Sequence, residues 1–359
     1  FASSADGGSR VIATATSNPD AQTADDGYGH GTDVAGIIAG DSSARAASDP
    51  LHDQFVGVAP QAKVIAVKVS DEQGSATVLD VIYGLQFAVD FRHRYGIRVI
   101  NLSLDADAAQ SYTQDPLDAA VESAWRHGIV VVAAAGNRGT ASDAVDYAPG
   151  NDPYVITVGA VDENRTAKVI AHTVAPWSSQ GTTQDGFAKP DVYAPGAHVV
   201  SDLAPGSAFA SLCSTCVVDG QYIRASGTSF AAPMISGLVA DVLELHPRWT
   251  PDQVKGALLD PSVRTSASPE VDALKVAELT SPSPADQGLE PNRLIAGGSG
   301  ELDYARASWS RASWSLTNWD RASWSRASWS LADWARASWS RASWSRASWS
   351  TASWASLAG

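Results

Sequence analysis

Apolar positions along residues 30–260 follow two alternating periods. Val64-Ile65-Ala66-Val67-Lys68-Val69, Val99-Ile100-Asn101-Leu102, residues 129–134 and residues 154–158 are short, nearly continuous apolar runs. That is the pattern of strands covered on both faces. Between them, Val78, Ile82, Leu85 and Val89 recur at helical spacing and predict a helix ending near Tyr95. Leu117, Val121 and Ala124 predict another, ending near Gly128. Residues 229–246 read as a long apolar helix. Thr250-Pro251-Asp252-Gln253 reads as the start of one more, with proline at the first helical position. Strands alternating with helices imply an α/β fold, three layers deep, with a mostly parallel central sheet and helices on both faces. Residues 1–29 are polar and turn-rich, with one apolar patch at Val11-Ile12.

The same pass divides the chain. Residues 1–260 form the α/β body. Residues 261–304 are rich in Ser, Pro and Gly and read as a linker. Residues 305–359 are built on Arg-Ala-Ser-Trp-Ser, with Trp every five positions from Trp309 to Trp354. A period of five keeps to neither one helical face nor one strand face. The tail reads as low-complexity chain, as an attachment module whose Trp faces and Arg side chains meet a cell-wall or surface polymer, or as a small self-assembled β-structure.

Charge and cysteine narrow the class. The net charge is −14, although the tail alone holds seven Arg and two Asp, so the body is more acidic still. An acidic body argues against nucleic acid as a partner. No run of about 18 apolar residues is present, so no transmembrane segment is expected. Cys213 and Cys216, the two cysteines, stand as C-x-x-C. That is half of a tetrahedral zinc site and no more, and a small local disulfide in an exported protein is the reading preferred over two unpaired thiols. The chain opens on Phe1 and its one methionine is Met234, so a processed chain or a fragment is expected.

Three short motifs carry chemistry. Ser226-Gly227-Thr228-Ser229 puts a serine on a glycine turn where an apolar helix begins, with free amide donors at that helix end. Gly29-His30-Gly31-Thr32 supplies a base at the head of the helical pattern Val34, Ile37, Ile38. Asn137 follows the apolar run 129–134, at the carboxyl end of a parallel strand, where sites form in open α/β sheets. A serine hydroxyl needs a base within reach, an orienting partner for that base, and donors for the oxyanion. The histidines at 52, 93, 127, 172, 198 and 246 show no His-Glu-x-x-His spacing, and neither a Gly-x-Ser-x-Gly elbow nor a Gly-x-x-x-x-Gly-Lys phosphate loop occurs.

Gly29-His30-Gly31-Thr32, Ala133-Ala134-Ala135-Gly136-Asn137 and Gly227-Thr228-Ser229-Phe230-Ala231-Ala232-Pro233 resemble, in this order, the subtilisin family of serine endopeptidases. Val56-Gly57-Val58-Ala59-Pro60, Ile100-Asn101-Leu102-Ser103-Leu104 and Pro190-Asp191-Val192-Tyr193-Ala194-Pro195-Gly196 add to the likeness, which covers about residues 1–260. The resemblance implies a secreted endopeptidase acting through an acyl-enzyme on polypeptide substrates. Ser229 would be the nucleophile, His30 the base and then acid, and Asn137 the oxyanion donor. Ser103, Leu104 and Asp105 would form an edge that pairs with extended substrate, and Ala133, Ala134, Ala135 and Gly136 would line the pocket before the scissile bond. No cofactor is implied. Calcium is compatible with the resemblance, but no Asp-x-Asp-x-Asp-Gly loop names ligands.

The family also carries an aspartate in an Asp-Thr-Gly or Asp-Ser-Gly turn after an apolar strand, upstream of the histidine. Asp6, Asp20, Asp25 and Asp26 are the acids available, and none follows such a strand. The expectation is that the strand bearing it lies upstream of Phe1, leaving this chain with little activity. Asp33 stands where the family has a histidine, and Asp105 where glycine is common; with Asp107, Asp105 raises the expectation of a preference for basic residues in substrate. The alternative from another class is a non-catalytic surface protein that works through the Trp repeat.

Overall fold

In the computed structural model, residues 9–42, 45–264 and 269–295 are described, with the backbone of 342–343. Asp6 and the Trp-repeat tail, apart from that short stretch of backbone, lie outside the described residues. In chain order the elements are β1 (Val11–Thr16), α1 (His30–Ala39), β2 (Val64–Lys68), β3 (Ser75–Ala76), α2 (Val78–Tyr95), β4 (Val99–Leu102), α3 (Pro116–Arg126), β5 (Val130–Ala134) and β6 (Ile156–Asp162). There follow β7 (Thr173–Val174), β8 (Gly181–Thr182), β9 (Ala188–Lys189), β10 (Val192–Pro195), β11 (Val199–Asp202), α4 (Ala208–Leu212), β12 (Val217–Val218), β13 (Tyr222–Ala225), α5 (Thr228–Leu245), α6 (Pro251–Leu259) and α7 (Ala273–Glu278).

Local chemistry sets the helix ends. Thr77 and Asp80 form a reciprocal capping box at the start of α2, and Gly96 ends it at φ 66°. Asp115 accepts from the amides of Leu117 and Asp118 at the head of α3, with Pro116 in the first turn. The main sheet has the order β10-β6-β5-β4, all parallel, with β7 antiparallel on β6. Every residue of β5 is buried, so both its faces are covered. Helix α5 packs across β4, β5, β6 and β10, while α3 packs on β5 and beside α2. Helix α5 has the length and hydropathy (1.3) to cross a membrane by composition, yet 72% of it is buried as the core helix of this body.

The sheet is not continuous among the described residues. Strand β2 pairs in parallel with β1, from Val11 opposite Val64 to Thr16 opposite Lys68, and β4 pairs with β5. Among the described residues neither β2 nor β4 pairs on its other edge. Val64, Ile65 and Val67 of β2 and Val99 and Ile100 of β4 are therefore only half-buried, although their sequence is as apolar as that of β5. The single central sheet expected from the sequence is thus in two pieces.

Two other expectations change. The polar stretch 1–29 contains β1, whose residues alternate between half-buried and exposed, so its apolar signal is weak. Of the stretch 261–304, read as a linker, residues 261–264 and 269–295 are folded on the body. Val263, Val276 and Ile295 are buried, and Asn292 donates to the carbonyls of Tyr112 and Asp115. Its Ser, Pro and Gly content masked these few anchors.

Behind β5 and β6 lies a buried acidic group. Asp115, Asp118, Glu122 and Asp152 are almost completely enclosed. Glu122 accepts from the Asn292 amide at 2.9 Å, and Asp152 from the Tyr154 amide at 2.7 Å. The Lys189 ammonium lies beyond them on Asp191, at 2.8 Å. Burial pushes Asp115 up to about 6 and Asp152 up to about 7, and holds Asp118 and Glu122 well above the carboxylate range.

Candidate active site

The head of α1 is shaped by Gly29 and Asp26. Gly29 adopts φ 104°, and a Cβ there would stand 2.5 Å from Ser207 Oγ and 2.8 Å from Phe209 Cβ, so only glycine fits. Asp26 accepts from Gly29 N (2.8 Å), Thr32 N (2.7 Å) and Thr32 Oγ1 (2.8 Å), which satisfies two of the amides at the helix start. Asp26, one of the four acids considered for the triad, is thus a helix cap. Asp20 and Asp25 are exposed.

His30, the first residue of α1, is buried between two rings. Phe209 meets it edge-on at 6.1 Å and Phe230 lies at 5.6 Å. Burial pushes its imidazole down to about 4, against the opposing charge of Asp26, so the ring is neutral and able to take a proton at pH 7. Asp33, one turn on, is fully buried, and burial raises it well above the carboxylate range.

Ser229 is the second residue of α5, after Gly227 at the cap position. The helix contains Pro233, which has no N–H to give to the carbonyl four residues back, and that carbonyl belongs to Ser229. Ser103 fills the place: its hydroxyl donates to Ser229 O at 2.7 Å. Asn101 Nδ2 donates to Ser103 Oγ at 2.9 Å, and Ser236 Oγ donates to Asn101 Oδ1 at 2.8 Å. The end of β4 is in this way laced to the first two turns of α5. Ser229 Oγ itself lies 3.5 Å from Ser103 O.

Asn137 sits just past β5. Its Oδ1 accepts from Thr228 N at 2.9 Å and from Thr228 Oγ1 at 3.2 Å, and Gly136 N donates to Thr228 Oγ1 at 3.1 Å. With Oδ1 on Thr228, Nδ2 is the amide edge on the side of the Gly227 turn, 3.6 Å from where a Gly227 Cβ would stand. The neighbours of Ser229 in sequence are thus tied to the two other candidate groups: Thr228 to Asn137, and Phe230 to His30.

The expected substrate edge and pocket are placed as follows. Leu104 is buried, and Asp105 forms an ion pair with Arg138, whose guanidinium lies 3.6 Å over the Tyr147 ring. The charge of Asp105 is already matched, which removes half of the basis for expecting basic substrates; Asp107 is exposed. Ala133 and Ala134 lie inside β5, and Ala135 donates to Val158 O at 3.0 Å. Gly136, at φ 93°, is the position where Arg138, Ser179 and Asp105 converge. Arg138 and Phe209 were passed over in the sequence, and Pro233 was read only as part of the serine motif, not for its effect on the helix. Of the three, only Pro233, four residues after Ser229, has a local signal of what it does.

Among the described residues, no group of three or more His, Cys, Asp or Glu is arranged to hold a metal ion. Cys213 and Cys216 are joined in a disulfide.

Comparison with known proteins places the chain. A subtilase-family model matches residues 1–287. Serine protease AprX of Bacillus subtilis is 42% identical over 238 residues, spanning 65% of this chain and 52% of AprX. Subtilisin E, from the same organism, is 35% identical over 237 residues, spanning 65% of this chain and 50% of that protein. The chain spans about half the length of these curated relatives. Fervidolysin from Fervidobacterium pennivorans, described as a keratinolytic enzyme related to subtilisin, matches in structure with TM-score 0.54 and 25% identity, over 76% of this chain and 43% of its own. A cold-adapted subtilisin-like serine proteinase matches with TM-score 0.52 and 24% identity, over 78% of this chain and 90% of its own, and shows the shared fold. The chain belongs to the subtilase family.

Proposed function

We propose that this chain is the body of a serine endopeptidase that cleaves extended polypeptides through an acyl-enzyme. One observation carries the reading: Ser229 is bracketed by Thr228, held on Asn137, and by Phe230, packed on His30. His30 takes the Ser229 proton as Oγ attacks the scissile carbonyl. Asn137 Nδ2 donates to the oxyanion, a contribution of about 10²–10³ in turnover for one such donor. His30 then protonates the leaving amine, and water releases the acyl group by the same route in reverse.

The orienting carboxylate belongs, in this reading, on a strand that fits between β2 and β4. The unpaired edges of both strands and their half-buried apolar residues support it. Without that carboxylate turnover is low; in subtilisin, a relative, loss of the orienting aspartate alone costs about 3 × 10⁴. The disulfide supports export to an oxidising compartment. Attachment to a cell-wall or surface polymer through residues 305–359 extends the same proposal.

Labelling by a peptide phosphonate tests it. An adduct on Ser229 that disappears in His30→Ala is expected. Binding of the intact chain to cell-wall polymer with no adduct would instead favour a non-catalytic surface protein.

A further inference from the structure

The disulfide of the C-x-x-C pair shares an apolar cluster with Phe209 and Phe230, the two rings that flank His30. We propose that Phe209 is a positioning residue for His30 and that the Cys213–Cys216 disulfide clips it in place, so that the histidine responds to the redox state of this pair. The inference deepens the proposed function and rests on its reading of His30 as the base.

Helix α4, which carries Phe209, has five residues and no side-chain cap from Ser207. A helix that short does not hold itself in water. Three things hold it. Its start is bonded to the chain just ahead of His30: Ala208 N donates to Gly27 O at 2.9 Å, and Phe209 N to Tyr28 O at 2.8 Å. Phe209, fully buried, packs in a small cluster with Ile37 of α1, Cys216, Ile223 and Phe230. Its far end runs directly into Cys213, and the disulfide ties Cys213 back to Cys216, where Cys216 N also donates to Cys213 O at 3.0 Å. One cluster therefore contains the helix that bears His30, the residue after Ser229, and the disulfide. From Cys216 the chain reaches Ser229 through β12 and β13 alone.

Reduction by a dithiol breaks the Sγ–Sγ bond. Two electrons and two protons pass to the cysteines, which become thiols, and the reductant leaves as its cyclic disulfide. The far end of α4 then loses its tether, and the apolar wall on His30 opens to water. No residue of α4 is charged, and among the described residues Asp26 bears on His30 by its charge, with Tyr28 nearby on the same loop. The expected response is thus one of hydration, with the imidazole taking up its proton more readily.

The test uses the full chain with isotope-labelled histidine, and His30 →Gln to assign the signal. The NMR titration of His30 is followed in the oxidised protein and after dithiothreitol, with two thiols confirmed by titration. The midpoint is expected to rise by about one pH unit or more on reduction, and in the same direction in oxidised Phe209→Leu, while Phe209→Tyr keeps the oxidised value. If Phe209→Leu does not fold, the Cys213→Ala/Cys216→Ala pair carries the comparison. An unchanged midpoint in fully reduced, folded protein overturns the inference. Phosphonate labelling run alongside separates the two readings: a shifted midpoint with no adduct in either state sinks the peptidase and leaves the clip, whereas an adduct with an immobile midpoint sinks the clip.

Discussion

Strands β5 and β2 are nearly equal in apolar content, yet β5 is buried at every residue and β2 at none. The difference is neighbours. Strand β5 lies between β4 and β6 under helices on both faces, whereas β2 has β1 on one side and no partner on the other among the described residues. A sequence as apolar as Val64-Ile65-Ala66-Val67 belongs in the interior of a sheet. Its half-exposure is matched at Val99 and Ile100 of β4, and the proposed function sets one more strand in a gap between the two. In that proposal the same gap takes the strand that carries the orienting carboxylate, and one strand there would account both for the unpaired edges among the described residues and for low turnover without it.

The comparison breaks most visibly if the gap is filled. An apolar strand ending in Asp-Ser-Gly, fused upstream, is expected to raise the rate of Ser229 labelling by roughly 10⁴ and to bury Val67 and Ile100, read by mass spectrometry and hydrogen exchange. A rise in rate without new protection at β2 and β4 would separate the carboxylate from the strand.

Next in size, Val132→Asp puts an unpaired charge in the middle of β5. It is expected to cost on the order of 5 kcal/mol or more and to shift the urea transition far down or abolish it, because domain stabilities run from only about 5 to 15 kcal/mol. Val67→Asp in β2 should cost about 1 kcal/mol, and more once the gap is filled. Equal costs in the present chain would remove the contrast.

The buried acids behind β5 give a third test, by pH. Asp152 is raised to about 7 by burial. Its folded pKa lies above its unfolded one, so its stabilising contribution is full below about 4 and is lost as pH rises through 7. The stability of the parent protein relative to Asp152→Asn should therefore fall between pH 4 and 7, by on the order of a few kcal/mol. A flat difference would show that Asp152 is paired as a carboxylate throughout.

The last test concerns Ser103. Ser103→Ala leaves Ser229 O without the donor that Pro233 cannot supply, at a cost of about 1–2 kcal/mol. Adding Pro233→Ala restores a backbone N–H and should recover part of the loss. Simple additivity in this double-mutant cycle would mean that the Ser103 hydroxyl does not substitute for the missing helical bond.

Much of the fold was legible because burial was two-sided. The run 129–134 could only be an interior strand, and β5 occupies it. Helices α2, α3 and α5 follow their apolar spacing and their Gly, Pro and Asp punctuation. Strand β1 was not legible, since Val-Ile-Ala-Thr-Ala-Thr has one weakly covered face. The end of the body at residue 260 was misplaced for a related reason: Val263, Val276 and Ile295 are anchors spaced too widely to form a period. Of the site, His30, Asn137 and Ser229 were visible as motifs, but what holds them was not. Phe209 reaches His30 from almost 180 residues away in sequence, and Arg138 meets Asp105 across two strand ends. Such pairs are made by the sheet, and no local pattern records them. The partnership of Pro233 with Ser229 was readable from the four-residue spacing alone, although the identity of its substitute, Ser103, was not.

The central claim is that Ser229 is a nucleophile served by His30, and peptide mapping of the phosphonate adduct tests it most directly. The expected result is one adduct, on the peptide containing Ser229, forming slowly in this chain and lost in both His30→Ala and Ser229→Ala. No adduct under conditions that label subtilisin E, or an adduct on another serine that is indifferent to His30, would contradict it.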